Sequence, residues 1–375
     1  MKKKLLALVC ALALTVSLVG CALSTPDTVG KIGDFEVTSG LYLLAQYDAY
    51  QQAAQLAGSE QDTSKVNSFL KATITTDADS GETAVVQDYV ADKTLETLRT
   101  FAAIDARFAE LGGELTAEQK SAADSYAQQL MDNYGDAYTA NGIGLETLKL
   151  FQQLQYKQVL LLDLVYGKDG ETPVEDGELT EHLDSTMYEI GFITVPLYNT
   201  STFAFASDDQ KAEMLSLAQK AADSYNAAAP EDASSQLTAF NSIASSALTD
   251  ICAVLDAEVP STSTLQTDLL GESDLTDAFT QEGAADTLRG LAYGQAAAIQ
   301  YTGYAMMLAV RLDPLSVSTL DALRSQILSD MKGEELNDVL AAYGAQLDST
   351  LSSSAMSKLP AAKIVNANSA NSANS

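Results

Sequence analysis

Cys21 follows an apolar run at a spacing that allows one specific covalent chemistry. The chain starts with MKKK, and an apolar stretch then extends from Leu5 to Val19. Such a segment is typical of a secretory signal and is short for a membrane span. The letters LVGC at positions 18–21 match the lipobox of bacterial lipoproteins, in which the chain is cut before the cysteine and its thiol takes a diacylglycerol. We therefore predict a signal peptide over residues 1–20 and a lipid on Cys21, where two or more acyl chains give stable anchoring. The alternative is an ordinary signal peptide with an incidental cysteine.

Other residues that could do chemistry are few. The chain has one histidine, His182, which excludes a metal site with several histidine ligands and leaves a Ser-His-Asp triad only through that residue. Asp184 and Ser185 are close neighbours on the same predicted helix, and such neighbours do not form a triad. The sequence contains no Walker-type phosphate loop. We expect a solvated helix position for His182, and no metal or cofactor.

The cysteines allow no internal disulfide. Cys10 leaves with the signal and Cys21 carries the lipid, so Cys252 remains without a partner. We expect Cys252 to be a small buried apolar residue.

The charge of the chain limits its partners. Its 375 residues include 51 acidic and 21 basic side chains, which gives a formal net charge of −30. Nucleic acids are excluded as partners, because proteins bind them largely through basic side chains that contact the phosphates. A chain with so few basic side chains is not attracted to anionic lipid headgroups either. The acyl chains on Cys21 must therefore anchor it to the membrane. The ordinary apolar content indicates a packed core, and the length allows two domains.

Hydrophobic periodicity predicts a helical first half with little sheet. Residues 29–37 suggest a small hairpin, and Thr38 or Ser39 can cap a helix that follows it. Residues 58–83 are polar and suggest a loop insertion. Further helices follow, and Thr116 is a candidate N-cap for one of them.

The second half has a different character. YEIGFITVPLY (188–198) predicts a buried strand, SDDQKAEMLSLAQKAADSYNA (207–227) an amphipathic helix, and YAMMLAVRLDP (304–314) a closing strand. Residues 230–275 are rich in Ser, Thr, Ala and Asp and predict no definite element. Two helical stripes follow Val317, separated at Gly333. The repeat NANSANSANS at the end predicts a disordered tail over residues 365–375.

The order of these segments resembles that of a known family. VGKIGDFEVTSGLY (29–42) is followed by LETLRTFAAIDARFAELGG (95–113) and NGIGLETLKLFQQLQYK (141–157). VEDGELTEHLDS, YEIGFITV and GYAMMLAVRLDP come later, in that order. Together with the lipobox, this order is similar to that of the extracytoplasmic foldases, which are the PrsA-type lipoproteins of Gram-positive bacteria and their SurA relatives.

The resemblance implies an α+β fold with an inserted domain. A tether over residues 21–28 would precede a predominantly helical chaperone module, built from residues 29–170 and 314–364. Residues 171–313 would form a small parvulin-like α/β domain with an insertion near residues 230–275.

The resemblance does not extend to the catalytic residues of that family. Parvulin prolyl isomerases place one histidine in the first strand of the domain, where this chain has Phe192. A second histidine follows Gly-Tyr in the last strand, where this chain has Ala305. Neither side chain can donate or accept a hydrogen bond, so we predict no catalytic residue at these positions.

The resemblance leads to one main hypothesis and two alternatives. The first is a foldase or chaperone, anchored by lipid at the extracytoplasmic face of the bacterial membrane, that holds newly exported unfolded polypeptides without isomerase turnover. The alternatives are an active peptidyl-prolyl isomerase with a rearranged site, and a solute-binding lipoprotein. Tyr42, Tyr47 and Tyr50 on the first long helix are candidates for client contact, with core packing as the competing role. The oligomeric state stays open, with a dimer as one option.

Overall fold

The computed structural model describes residues 26–228 and 232–366. The predicted signal peptide, Cys21, most of the tether and residues 367–375 of the predicted tail lie outside the described residues. The described residues divide into two compact units, one made of residues 26–161 and 337–366 and the other of residues 162–228 and 232–336. None of the described helices is both long enough and apolar enough to cross a membrane.

The first unit is mainly helical. Its elements are β1 (Thr28–Ile32), β2 (Phe35–Thr38), α1 (Ser39–Ala57), α2 (Val66–Phe69), β3 (Thr73–Asp77), β4 (Glu82–Val85), α3 (Val86–Glu110), α4 (Ala117–Ala140) and the first part of α5 (Leu145–Tyr166). β1 pairs with β2 and β3 with β4, both antiparallel.

Side-chain caps set the start of two of these helices. The Thr38 hydroxyl accepts a hydrogen bond from the backbone N–H of Leu41 at 3.2 Å. Thr116 and Gln119 form a reciprocal capping box at the start of α4. These hydrogen bonds satisfy N–H groups that a helix end leaves without partners. The predicted caps at Thr38 and Thr116 are confirmed.

The end of the chain completes the first unit. The backbone N–H groups of Thr350 and Ser352 donate to the carbonyls of Lys31 and Val29, both at 2.8 Å. This segment therefore runs along β1. Gly30 makes the approach feasible, because its φ is +130° and a Cβ there would lie 2.4 Å from the carbonyl oxygen of Thr350.

The second unit contains a four-stranded antiparallel sheet. Its elements are the end of α5, α6 (Asp176–Thr186), β5 (Tyr188–Pro196), α7 (Asp208–Ala228), α8 (Ala233–Ala253), β6 (Gln266–Leu270), α9 (Glu272–Ala278), α10 (Ala284–Arg289), β7 (Ala296–Gln300), β8 (Ala305–Leu312), α11 (Pro314–Val317) and the first part of α12 (Leu320–Gln346). The strand order is β6-β5-β8-β7. α12 ends in the first unit, and α13 (Ser353–Met356) follows it there.

Both faces of this sheet are covered. On β5, Ile193 and Val195 pack into a core with α7 and α8, whereas Tyr188 and Ile190 pack into a second core with α9 and α10. Because successive residues of a strand point to opposite faces, the near-continuous apolar run of β5 is that of a strand buried on both sides. The mostly helical α+β class predicted from the sequence is confirmed.

The structure corrects three predictions of local structure. Residues 58–83, predicted as a loop insertion, contain α2, β3 and the start of β4. Residues 230–275, for which no element was predicted, contain α8, β6 and part of α9. The two helices expected on either side of Gly333 are one helix, because a single glycine weakens a helix without ending it.

Candidate functional site

The structure places Phe192 and Ala305 on the same face of the four-stranded sheet. Phe192 lies opposite Ala309 of β8, and Ala305 lies opposite Pro196 of β5. Four residue steps therefore separate them along the strands, roughly 13 Å at about 3.3 Å per residue. Thr194 lies between them on the same face of β5.

This face offers packing surface at the two positions. Phe192 is half-buried against the core formed with α9 and α10, and Ala305 is buried. A phenyl ring and a methyl group can shape an apolar surface, but they cannot exchange protons or make hydrogen bonds. The two positions therefore lack the hydrogen-bonding groups that imidazoles would bring.

The backbone of residues 197–206, called the aromatic loop below, closes on itself at the end of β5. The N–H of Ala206 donates to the carbonyl of Leu197 at 2.9 Å. Inside this closure the rings of Tyr198 and Phe205 lie 5.8 Å apart. Phe203 and Phe205 are 73% and 71% exposed, which is unusual for phenylalanine.

Asn199 holds the aromatic loop in one conformation. Its Oδ1 accepts hydrogen bonds from the N–H groups of Ser201 and Thr202, both at 3.0 Å. Its Nδ2 donates to the carbonyl of Leu255 at 3.0 Å, which ties the loop to the segment after α8. The two exposed phenylalanines are thus presented by a braced loop.

Backbone strain coincides with this bracing. Phe203 and Asp256 are the non-glycine residues with positive φ in the described part of the chain, at 58° and 49°. Phe203 lies within the loop and donates its N–H to the carbonyl of Asn199, and Asp256 follows the Leu255 carbonyl that Asn199 contacts. Such conformations persist where the surroundings enforce them, and they cluster at functional sites.

A third exposed aromatic side chain belongs to the same end of the sheet. Tyr304, which precedes β8, is 58% exposed. Its carbonyl accepts a hydrogen bond from the N–H of Leu197 at 2.8 Å, so its backbone adjoins the start of the aromatic loop. Exposed apolar surface of this kind marks interaction sites in soluble proteins. The sequence reasoning missed this feature, although two phenylalanines within TSTFAFAS are a visible signal.

Two carboxyl groups near this sheet have displaced pKa values. Burial raises the pKa of Glu189 on β5 to about 7, and the charge of Asp268 on β6 adds to the effect. The pKa of Glu272 on α9 is lowered by hydrogen bonds from Arg289 and Tyr188. Arg289 Nη2 donates to Glu272 Oε2 at 2.7 Å, so this carboxylate is paired. Glu189 has no ion-pair partner among residues 26–228 and 232–366.

The tyrosines of α1 mostly pack inside the first unit. Tyr50 is fully buried, donates its hydroxyl to the carbonyl of Thr63 at 2.6 Å, and meets Phe69 edge-on. Its burial raises the pKa of the phenol to about 12. Tyr42 and Tyr47 are half-buried. Core packing therefore accounts for Tyr50, and none of the three is an exposed aromatic side chain.

The remaining predicted positions are also placed. His182 was expected to be solvated, but it is half-buried and its Nε2 lies 2.6 Å from Oδ2 of Asp330 on α12. Cys252 is buried as predicted, and burial raises the pKa of its thiol. Among the described residues no three His, Cys, Asp or Glu side chains form a group that could hold a metal ion.

Comparisons with known proteins find solved structures that resemble this chain with low sequence identity and low TM-scores. The sequence matches no protein-family model and no curated protein. Among solved structures, foldase protein PrsA from Streptococcus pneumoniae has 12% identity and a TM-score of 0.36, with 76% of this chain and 97% of that chain covered. Foldase protein PrsA from Lactococcus lactis has 12% identity and a TM-score of 0.33, covering 89% and 98%. PrsA from Bacillus subtilis has 12% identity and a TM-score of 0.29, covering 89% and 93%. TM-scores this low do not establish a shared fold, so the fold class rests on the strands and helices described above.

Proposed function

We propose that this protein is a lipid-anchored extracytoplasmic chaperone of the PrsA/SurA-like type that holds newly exported, unfolded polypeptides. The observation that carries the proposal is the aromatic loop. Phe203 and Phe205 are more than 70% exposed on a loop that Asn199 braces. Leaving two phenyl rings in water is unfavourable, and binding apolar segments of a client relieves that cost.

In this chaperone, two chain segments share one module and, along the sequence, enclose a second domain. Residues 29–170 and 314–364 form the helical chaperone module, and residues 171–313 form the parvulin-like domain. Phe192 and Ala305 occupy the histidine positions of that family, so the domain contributes shape and client contact. The segment before residue 29 is the signal, the lipid-bearing Cys21 and a tether.

Holding is tested by suppression of aggregation. A chemically unfolded client is diluted into buffer with the chain lacking residues 1–21, and light scattering is followed. We expect Phe203→Ser with Phe205→Ser to lose most of the suppression. The matched control is Tyr134→Ser on α4, because Tyr134 is an exposed aromatic side chain at 60% but lies outside the loop. Equal suppression by the double variant and the original chain would refute a role for the loop.

Isomerase turnover is tested separately. A proline-containing peptide is followed through cis-to-trans exchange, which is slow without a catalyst because the barrier is about 18–20 kcal/mol. We expect the uncatalysed rate at any concentration of the protein. Clear acceleration would support the alternative of an active isomerase.

Lipid attachment at Cys21 has its own test. The full chain is expressed in a bacterium supplied with a labelled fatty acid, and membranes are separated from the soluble fraction. We expect label and membrane association, both lost in Cys21→Ala. A signal that is cleaved without label incorporation would indicate the ordinary signal peptide instead.

The solute-binding alternative gains no support from the sheets. All strand pairs in the described ranges are antiparallel. Lobes built from repeated strand–helix units need parallel strands.

A further inference from the structure

A small cavity in the first unit is lined by apolar side chains and two lysines. Its volume is about 360 Å³, and it lies among α1, the end of α4 and residues 358–364. That volume falls within the range of sites for small ligands, roughly 300–1,000 Å³. The cavity belongs to the first unit and the aromatic loop to the second, so this site stands apart from the proposed function.

The walls combine apolar side chains with two fixed amides. Leu43, Leu359, Pro360 and Ile364 supply the apolar lining. Gln46 lies in the lining and donates through Nε2 to the carbonyl of Leu359 at 3.2 Å.

Asn141 holds the other side of the cavity. It exchanges two hydrogen bonds with the backbone of Val365, one at 2.9 Å through Nδ2 and one at 2.8 Å through Oδ1. These bonds tie the C-terminal segment to the end of α4, and the Gln46 bond ties it to α1, so hydrogen bonds hold the cavity walls on both sides.

Two lysines give the cavity its charge. Lys358 and Lys363 are both in the lining and both exposed. Within the described residues neither ammonium lies in an ion pair; the Lys363 Nζ reaches only the carbonyl of Lys358, at 3.4 Å. Lys149 and Lys332, by contrast, each pair with a glutamate three residues away. Lys71 and Lys120, like Lys358 and Lys363, have no ion pair among the described residues, so what sets Lys358 and Lys363 apart is that both lie at one cavity with apolar walls.

The end of α4 does not account for these charges. The last carbonyls of a helix attract cations when they lack partners. Here Asn141 Nδ2 donates to the carbonyl of Ala137 at 2.9 Å, and the N–H of Gly142 donates to that of Thr139 at 3.0 Å. Because the chain itself caps these carbonyls, they are not the groups that the two lysines would bind.

We propose that this cavity binds the carboxylate end of a polypeptide whose last side chain is apolar. The ammonium groups of Lys358 and Lys363 would receive the carboxylate, since charge-assisted hydrogen bonds are the strong ones. Leu43, Leu359 and Ile364 would contact the apolar side chain. The Nδ2 of Asn141 and the Nε2 of Gln46 already donate within the chain, which leaves Oε1 of Gln46 to accept a hydrogen bond from a peptide N–H, a group that a hydrocarbon chain lacks.

The test compares two probes that differ in one group. A fluorescein-labelled pentapeptide ending in alanine-leucine is prepared with a free carboxylate and, separately, with a C-terminal amide. Fluorescence polarisation measures both against the chain lacking residues 1–21. We expect the free acid to bind about tenfold more tightly than the amide, and Lys358→Gln with Lys363→Gln to remove that preference. Amide protons of residues 140–142, 358–359 and 361–364 should shift in NMR spectra with the free acid.

A matched control separates the cavity from the general charge. Lys71→Gln with Lys120→Gln removes two exposed lysines of the same unit that do not line the cavity, and it should leave the preference for the acid unchanged. Equal affinity for acid and amide, no binding of either at millimolar concentration, or loss of preference in the control variant would each overturn the proposal. N-acetyl-leucine is a minimal probe that carries only the carboxylate and one apolar side chain. The outcome of the aggregation test on the aromatic loop has no bearing on these binding results.

Discussion

Replacement of Glu189 by glutamine should make the stability of the protein less sensitive to pH. Glu189 lies in the central strand β5, opposite Leu269 on one side and Leu312 on the other. It is 7% exposed, and its burial and the nearby charge of Asp268 raise its pKa to about 7. The folded chain therefore retains the proton at pH values where the unfolded chain has released it.

The size of the effect follows from the two pKa values. The ordinary pKa of a glutamate is 4.5 and the value in the folded chain is about 7. At about 1.4 kcal/mol per pH unit, ionised Glu189 costs the folded state about 3 kcal/mol above pH 7. The cost disappears as pH falls from about 7 towards 4.5, because the folded state then binds the proton. Between pH 7.5 and 5.5 this residue alone should raise stability by about 2 kcal/mol.

The assay compares Glu189→Gln with the original chain at each pH. Glutamine approximates the neutral acid, so the variant should be more stable by about 3 kcal/mol at pH 8 and by little at pH 4.5. Urea unfolding, followed by circular dichroism, gives the free energy of unfolding of each chain. In the difference between the two chains, the contributions of the other carboxylates cancel. Carboxyl ¹³C shifts of labelled glutamate give the pKa directly. A stability difference that is constant across this pH range would refute the assignment of a desolvated carboxyl at Glu189.

Three further substitutions test how closely the backbone and one half-buried cation are packed. Gly30→Ala should lower the free energy of unfolding in urea by roughly 3 kcal/mol, because φ is +130° and the new Cβ meets the backbone oxygen of Thr350. A loss below about 1 kcal/mol would contradict that contact. Gly191→Ala, in the middle of β5, should cost only about 1 kcal/mol, since the atom 2.5 Å from the new Cβ is the rotatable Cδ2 of Leu237; a larger cost than that of Gly30→Ala would reverse the expected order. Arg311→Met should cost about 2 kcal/mol in the same measurement, because it removes a guanidinium that donates to two backbone carbonyls and lies over two tyrosine rings. An unchanged unfolding midpoint would show that water replaces the guanidinium as the hydrogen-bond donor to these carbonyls.

The parts of the fold that the sequence predicted have strong local signals. Thr38 and Thr116 precede helices with regular apolar spacing, and side-chain oxygens at such positions satisfy the first N–H groups of a helix. β5 combines β-branched and aromatic residues over nine positions. In both cases the residues of one short segment determine its structure.

The missed elements have weak local signals for identifiable reasons. β3 and β4 are polar, and Ile74 is their one buried side chain. The buried face of α8 includes Ala244 and Cys252, small residues that make the helical period of hydrophobicity faint. β7 is rich in alanine, which has low strand propensity, and it becomes a strand by pairing with β8. Tertiary contacts select these elements.

The candidate site depends on contacts that a single segment cannot reveal. The composition of TSTFAFAS is enough to indicate a loop. Whether Phe203 and Phe205 can bind a client, however, depends on how firmly the loop holds them. That firmness comes from Asn199, whose Nδ2 reaches the carbonyl of Leu255, 56 residues further along the chain. The same amide braces a loop in which Phe203 adopts a positive φ, which a flexible loop would relax. Exposed aromatic residues held in this way lose little conformational entropy when a client binds, whereas the same residues on a mobile loop would lose more. Asn199, rather than the phenylalanines, is therefore the residue that distinguishes a binding loop from an incidental exposed one.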